Sequence, residues 1–315
     1  MLDLHELKIF TGTSHESLAQ DVCDYVGIPL GLANVFKFSN DNTFVQFKEN
    51  IRQRDVFLIQ PFGFPVNDSI LELLIMIDAA KRASAGRITA VVPYYAYGRT
   101  DKKDQPRVPI TGRLIADLLT VAGANRVLTI DLHAGQTQGF FNIPVDELTA
   151  LPLQARYFQD KAIDNLVVVA VDVGISKRAR DMAARLKVPL AIIEKRRSGN
   201  DDYVETLNVI GDVMGKVALT FDDEIDTAGS MAAAANALKK AGATKIFSCC
   251  THGILSGRGS DVIQESLIEE LVVTDTLSLS GEKRNGKITV LSVAGLLGEA
   301  IVRIHEGRSV GALFE

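Results

Sequence analysis

The stretch from Val217 to Ser230 limits the folds open to this chain more than any other. It starts with Val217-Ala218-Leu219-Thr220-Phe221, an apolar run suited to a buried parallel strand, and ends that run in Asp222 and Asp223. A turn of small residues, Asp226-Thr227-Ala228-Gly229-Ser230, then leads into Met231-Ala232-Ala233-Ala234-Ala235-Asn236-Ala237-Leu238, a strong helix former. A strand that runs through a Gly-containing loop into a helix makes an anion site. The first helical amides have no intrahelical partner, and the helix dipole favours negative charge there. Thr227 and Ser230 add hydroxyl donors, and Gly229 lets a ligand come close to the backbone.

Asp222 and Asp223 repel phosphate but suit the paired hydroxyls of a ribose, each of which donates to a carboxylate. Two readings are open on these residues alone. One is a ribose 5-phosphate pocket; the other is an acidic strand end whose Asp226 or Thr227 merely caps the helix.

Composition narrows the class. A chain of 315 residues is long enough for two domains, and 47% hydrophobic with 23% charged residues fits a globular α/β protein. No apolar run reaches the length of a membrane span, and Met1-Leu2-Asp3-Leu4-His5-Glu6 lacks signal-peptide character, so a cytoplasmic protein without a membrane partner is expected. A net charge of −5 argues against nucleic acid as the main partner. Cys23, Cys249 and Cys250 show no Cys-x-x-Cys spacing and are expected to be buried, reduced and structural.

Along the chain, Leu7–Gly12 predicts a strand and Ser17–Tyr25 an amphipathic helix. Val35–Phe47 alternates around Asn40-Asp41-Asn42, a hairpin signature. Strands are predicted at 56–60, 88–95, 126–133, 166–175 and 245–250, and helices at 67–82 and 110–122. The segment Ala96–Arg107 mixes cations, carboxylates and aromatics, and is either a solvated loop or a phosphate site built on Arg99. His133 lies at the end of a presumed parallel strand, where open α/β sheets bind ligands. Asp172 likewise ends a buried strand. The strand from Leu190 leads into Lys195-Arg196-Arg197, three adjacent cations that need an anionic partner, followed by a polar loop. A helix and strand are expected within 257–273.

The order Ala122-Gly123-Ala124-Asn125-Arg126-Val127 before His133 returns as Ala241-Gly242-Ala243-Thr244-Lys245-Ile246 before His252. A duplicated α/β unit explains the recurrence, with a boundary near 144–152 that gives domains 1–146 and 147–315. Only the second copy has the Asp-Thr-Ala-Gly loop.

Asp222-Asp223-x-x-Asp226-Thr227-Ala228-Gly229-Ser230 resembles the phosphoribosyl-pyrophosphate loop of the type I phosphoribosyltransferase fold, and nearly the whole chain resembles the ribose-phosphate diphosphokinase family. The resemblance implies two duplicated phosphoribosyltransferase-like domains, each a mainly parallel sheet flanked by helices, with the last helix, within 291–305, packing back on the first domain. It implies transfer of the diphosphoryl group of MgATP to the 1-hydroxyl of ribose 5-phosphate, giving phosphoribosyl pyrophosphate and AMP for nucleotide, histidine and tryptophan synthesis. Lys195 and Arg197 become the catalytic pair. Ribose 5-phosphate falls to Arg197, Asp222, Asp223, Asp226, Thr227, Ala228, Gly229 and Ser230, and ATP to Phe38, Asn40, Asp41, Asn42, Arg99, Thr100 and Asp101. His133 and Asp172 become the residues for Mg²⁺ or Mn²⁺. A homohexamer of dimers and a phosphate or ADP regulatory site near Ser309-Val310 are also implied.

This chain departs from the family pattern at four places. Asn40-Asp41-Asn42 replaces an Asp-Gly-Glu turn, Thr100 a usual Gln, Asn142 a frequent Asp, and Ile175 the second Gly of Asp-x-Gly-Gly. A non-catalytic regulatory homologue and a phosphoribosyltransferase are the alternatives. The lack of a Walker A pattern argues against a P-loop kinase.

Overall fold

The computed structural model describes residues 6–197, 205–279, 281–283 and 286–313. They form two compact units, the first from residues 6–149, 276–278 and 292–313 and the second from 150–275 and 279–291.

The first unit opens with β1 (Leu7–Thr11) and α1 (Glu16–Val26), followed by the hairpin of β2 (Ala33–Lys37) and β3 (Thr43–Phe47). Then come β4 (Asp55–Ile59), α2 (Val66–Arg82), β5 (Arg87–Val92), α3 (Thr111–Ala122), β6 (Arg126–Ile130) and β7 (Val145–Leu148). Its five-stranded sheet has the order β1-β4-β5-β6-β7, and each pairing is parallel. The inner strands β4, β5 and β6 are short and buried on both faces, as a sheet covered by helices requires. Phe10, Leu58, Leu73, Met76 and Ile77 anchor its core. The helix ends are set locally: His15 Nδ1 accepts from the Leu18 amide at 3.3 Å, and Gly27 closes α1 at φ +82°.

The second unit holds α4 (Leu151–Lys161), β8 (Leu166–Ala170), α5 (Ser176–Leu186), β9 (Leu190–Arg197), β10 (Glu205–Ile210) and β11 (Val217–Ile225). It continues with α6 (Gly229–Lys240), β12 (Lys245–Gly253), α7 (Gly259–Glu265), β13 (Glu270–Thr274) and β14 (Ile288–Leu291). Its seven-stranded sheet runs β10-β9-β8-β11-β12-β13-β14, parallel except where β10 pairs with β9. Val167, Val168 and Val169 are fully buried at its centre. The final helix, α8 (Ala294–Glu306), packs on α1 in the first unit.

The α/β class and the mainly parallel sheets are as the sequence predicts, and the three cysteines are buried and unbridged. Several boundaries move. The strand expected to reach His133 stops at Ile130, and the one expected to reach Ile175 stops at Ala170. Lys195, Arg196 and Arg197 fall inside β9, whose ladder pairs Lys195 with Leu207 and Arg197 with Glu205. Their side chains and residues 198–204 lie outside the described residues, and the predicted catalytic pair and the polar loop after it fall there. No helix among the described residues is long and apolar enough to cross a membrane.

Candidate active site

Strand order singles out one crevice in the second unit. From β8 the chain moves to β9 on one side, then returns to lay β11 on the other. Where the order reverses, two neighbouring loops diverge and leave room beyond the carboxyl ends of the strands. Ala170 pairs with Phe221 across this gap, so Asp172, just past β8, and Asp222 on β11 lie at the same end of the sheet.

The strand β11 runs through both carboxylates to Ile225, further than the apolar run alone implies. The two acids are therefore not equivalent. Asp223 is only 5% exposed and Asp222 is half-buried, which makes Asp222 the more accessible carboxylate. Asp222 Oδ1 accepts from the Asp223 amide at 2.9 Å, and Asp223 Oδ1 from the Glu224 amide at 3.0 Å. Burial, then the charge and hydrogen bond of Asp223, and finally the charge of Asp172 push the Asp222 carboxyl up to about 8. Such a cluster of repelling carboxylates favours a bound cation or a set of hydroxyl donors.

The loop beyond β11 bears on the capping reading of the sequence. Ala228 is the residue before α6, at φ +63°, and no side chain caps the helix. Asp226 is instead turned to Ser256, whose hydroxyl donates to its Oδ1. The capping role for Asp226 or Thr227 is thus corrected, because the chain bends away through a left-handed residue before the helix begins. The first helical bond runs from the Ala232 amide to the Ala228 carbonyl, so the amides ahead of it have no intrahelical acceptor. Thr227, Gly229 and Ser230 are exposed around them.

Asp172 Oδ1 accepts from the Ile175 amide at 3.1 Å. Ile175 has φ −84°, a conformation open to any residue, and buries its side chain in the core at 8% exposure. The turn tolerates Ile in place of Gly and uses its side chain.

The other predicted residues belong to the first unit. Arg99 and His133 are both exposed, and a Cβ on Gly98 would lie 3.4 Å from the His133 Cβ, so the loop after β5 packs beside the segment after β6. The Thr100 hydroxyl donates to the Tyr97 carbonyl at 2.8 Å, and Gln136 Nε2 donates to Asp101 at 2.7 Å. In the hairpin, Asp41 takes φ +67°, the position where glycine is usual and Asp is tolerated. Lys37 Nζ lies 2.9 Å from Asp41 and 2.7 Å from Asp68, while the Tyr97 hydroxyl donates to Asn67 at 2.7 Å. Neighbouring residues of the first turn of α2 thereby tie both the hairpin and the Arg99 loop.

Phe38 is 49% exposed, with its ring centroid 5.2 Å from Phe36 and 5.6 Å from Phe44. Asn67, Asp68 and Ser256 had no signal in the sequence, because each acts through a partner distant along the chain.

Among the described residues, no three His, Cys, Asp or Glu side chains form a metal site by themselves.

Two family models match separate parts of the chain. Residues 7–123 match the N-terminal domain of ribose phosphate pyrophosphokinase, and residues 200–315 match the phosphoribosyl synthetase-associated domain. The chain is 52% identical over 311 residues to a ribose-phosphate pyrophosphokinase of Clostridium acetobutylicum, covering 98% of this chain and 97% of that one. It is 50% identical over 308 residues to the Corynebacterium ammoniagenes enzyme of the same name, again with 98% and 97% covered. The crystal structure of phosphoribosylpyrophosphate synthetase from Mycobacterium smegmatis superposes with a TM-score of 0.91 at 41% identity, over 96% of this chain and 99% of that one.

Proposed function

We propose that this chain, which belongs to the ribose-phosphate pyrophosphokinase family, transfers the β,γ-diphosphoryl group of MgATP to the 1-hydroxyl of ribose 5-phosphate. The products are phosphoribosyl pyrophosphate and AMP. The observation that carries the reading is the accessible carboxylate of Asp222 just ahead of a helix N-terminus that no side chain caps.

The sugar hydroxyls donate to Asp222, with Asp223 behind it. The 5-phosphate accepts from the amides of Thr227, Ala228, Gly229 and Ser230 and from the Thr227 and Ser230 hydroxyls. Asp226 holds the turn between the two. Arg99 meets ATP phosphate oxygens, Thr100 and Asp101 flank it, and Phe38 with Asn40-Asp41-Asn42 meets the base. Lys195 and Arg197 neutralise charge on the transferred group, the main task in phosphoryl transfer. The O1 oxygen attacks the β-phosphorus, the bond from that phosphorus to the α,β-bridging oxygen breaks, AMP leaves with that oxygen, and the 1-hydroxyl proton passes to solvent.

Asp172 offers oxygen donors that would suit Mg²⁺, with Mn²⁺ as the alternative, and His133 would serve a cation bound with ATP through a water. The cation supplies charge neutralisation and eases loss of the 1-hydroxyl proton. The same reading extends to a cytoplasmic homohexamer of dimers and to phosphate or ADP control near Ser309-Val310.

Calorimetry tests the sugar site directly. Ribose 5-phosphate should bind the wild type, and Asp222→Asn should weaken it at least tenfold while leaving MgATP affinity within twofold. A wild type that does not bind ribose 5-phosphate would overturn the assignment.

A further inference from the structure

The turn Ile254–Gly259 braces the loop assigned above to the sugar phosphate. The amides of Ile254 and Leu255 donate to the Ile225 carbonyl at 2.9 and 3.1 Å, and the Ser256 amide donates to the Asp226 carbonyl at 3.1 Å. The Ser256 hydroxyl adds a bond to the Asp226 carboxylate. A hydroxyl on an ionised acceptor is among the stronger hydrogen bonds, and Ser256 is half-buried, so water competes poorly for it. Two strands of chain thus meet through main chain and side chain at one residue.

Glycine is needed where α7 begins. A Cβ on Gly259 would stand 2.8 Å from the Asp226 carbonyl oxygen and 3.6 Å from the Thr227 carbonyl carbon. Both are main-chain atoms, so the clash could be relieved only by moving the loop itself.

The loop needs such support because it is strained. Ala228 at φ +63° and Leu255 at φ +48° are non-glycine residues in the left-handed region, each buried. Strain of this kind persists only where the surroundings over-determine it, and it gathers at ligand sites. Relaxing Ala228 would turn the free amides of α6 away from the position they now hold.

We propose that Ser256 and Gly259 are positioning residues for the sugar phosphate, fixing the Asp226–Gly229 turn before the ligand arrives. This rests on the ribose 5-phosphate reading of the loop. A prepositioned turn does not have to be ordered by the ligand, so the effect should appear in sugar affinity and not in the nucleotide.

The test measures KM for each substrate, kcat, and amide hydrogen exchange of the ligand-free protein. The variants are Ser256→Ala, Ser256→Thr and Gly259→Ala. Ser256→Ala should raise KM for ribose 5-phosphate about tenfold, leave KM for ATP within twofold, and speed exchange of the 226–231 amides. Ser256→Thr keeps the hydroxyl and should restore most of the affinity. Gly259→Ala should act in the same direction as Ser256→Ala.

Equal losses for both substrates, or unchanged sugar KM and exchange in Ser256→Ala, would overturn the brace. A wild type that binds no ribose 5-phosphate overturns the functional reading instead, and the exchange data still judge the brace. Should Ser256→Ala fail to fold, Gly259→Ala and Ser256→Thr carry the same comparison.

Discussion

The imidazole of His305 is bound through Nδ1 to the Asp55 carboxylate at 2.7 Å, joining the last turn of α8 to the first residue of β4. Arg87 completes the group, with Nε donating to Asp55 at 2.8 Å and a second nitrogen donating to the Ile304 carbonyl at 3.0 Å. His305 is only 4% exposed. The Arg87 guanidinium at this helix C-terminus, beside a mostly buried carboxylate, is favourable, and removing the carboxylate's charge leaves that guanidinium without its counterion. Asp55→Asn should therefore cost about 3 kcal/mol, in the range for breaking a buried pair, while turnover per folded molecule stays at the wild-type level. Urea unfolding reads the stability, and a midpoint equal to wild type would show that α8 is held by its apolar face alone.

Ile175 occupies a turn where the family pattern has Gly, yet its φ is −84° and its side chain is buried. Ile175→Gly should destabilise the protein by about 3 kcal/mol, combining a lost core side chain with a more flexible unfolded chain. Activity should not rise. A stable variant with higher turnover would mean that the Ile is a functional defect.

The pH dependence of Asp222 has a definite sign. Burial first, then its carboxylate neighbours, lift it from 3.8 to about 8 in the folded protein. A raised folded value contributes stability that is fully present below the unfolded value and is lost as pH rises through the folded one. Ligand-free wild type should thus lose stability relative to Asp222→Asn between pH 4 and 8, by about 2–4 °C in Tm for each kcal/mol. Mg²⁺ at pH 8 should recover part of the difference in wild type and less in the variant. Parallel melting curves across that range would remove the repulsion from the account.

Asp41 pays a left-handed backbone cost that glycine would not, and its exposed bridge to Lys37 returns little. Asp41→Gly should change stability by less than about 1 kcal/mol, and KM for ATP by less than threefold. A tenfold change in KM would give the Asp41 carboxylate a direct role at the nucleotide.

The strand–loop–helix from Val217 to Lys240 was legible because every signal in it is local: an apolar run, small residues, then a helix former. The sequence could not locate the strand end, since Asp222 and Asp223 stay in the ladder through pairing such as that of Asp222 with Cys250. For the same reason Lys195-Arg196-Arg197 read as the exit from a strand when it belongs to one. β10 supplies the partner. Local sequence allows Asp226 to cap α6, but its carboxylate accepts instead from Ser256, thirty positions further along the chain. The bond from His305 to Asp55, 250 positions apart, leaves no trace in periodicity. Polar contacts of this kind depend on tertiary placement, and no window of sequence contains both partners.

The central claim is the fate of the β-phosphorus of ATP. ATP labelled at that atom, incubated with the protein, Mg²⁺ and ribose 5-phosphate, should deliver the label to phosphoribosyl pyrophosphate while unlabelled AMP forms in equal amount. No AMP should appear without the sugar phosphate. Label retained in ADP, or ATP left intact with both substrates bound, would contradict diphosphoryl transfer.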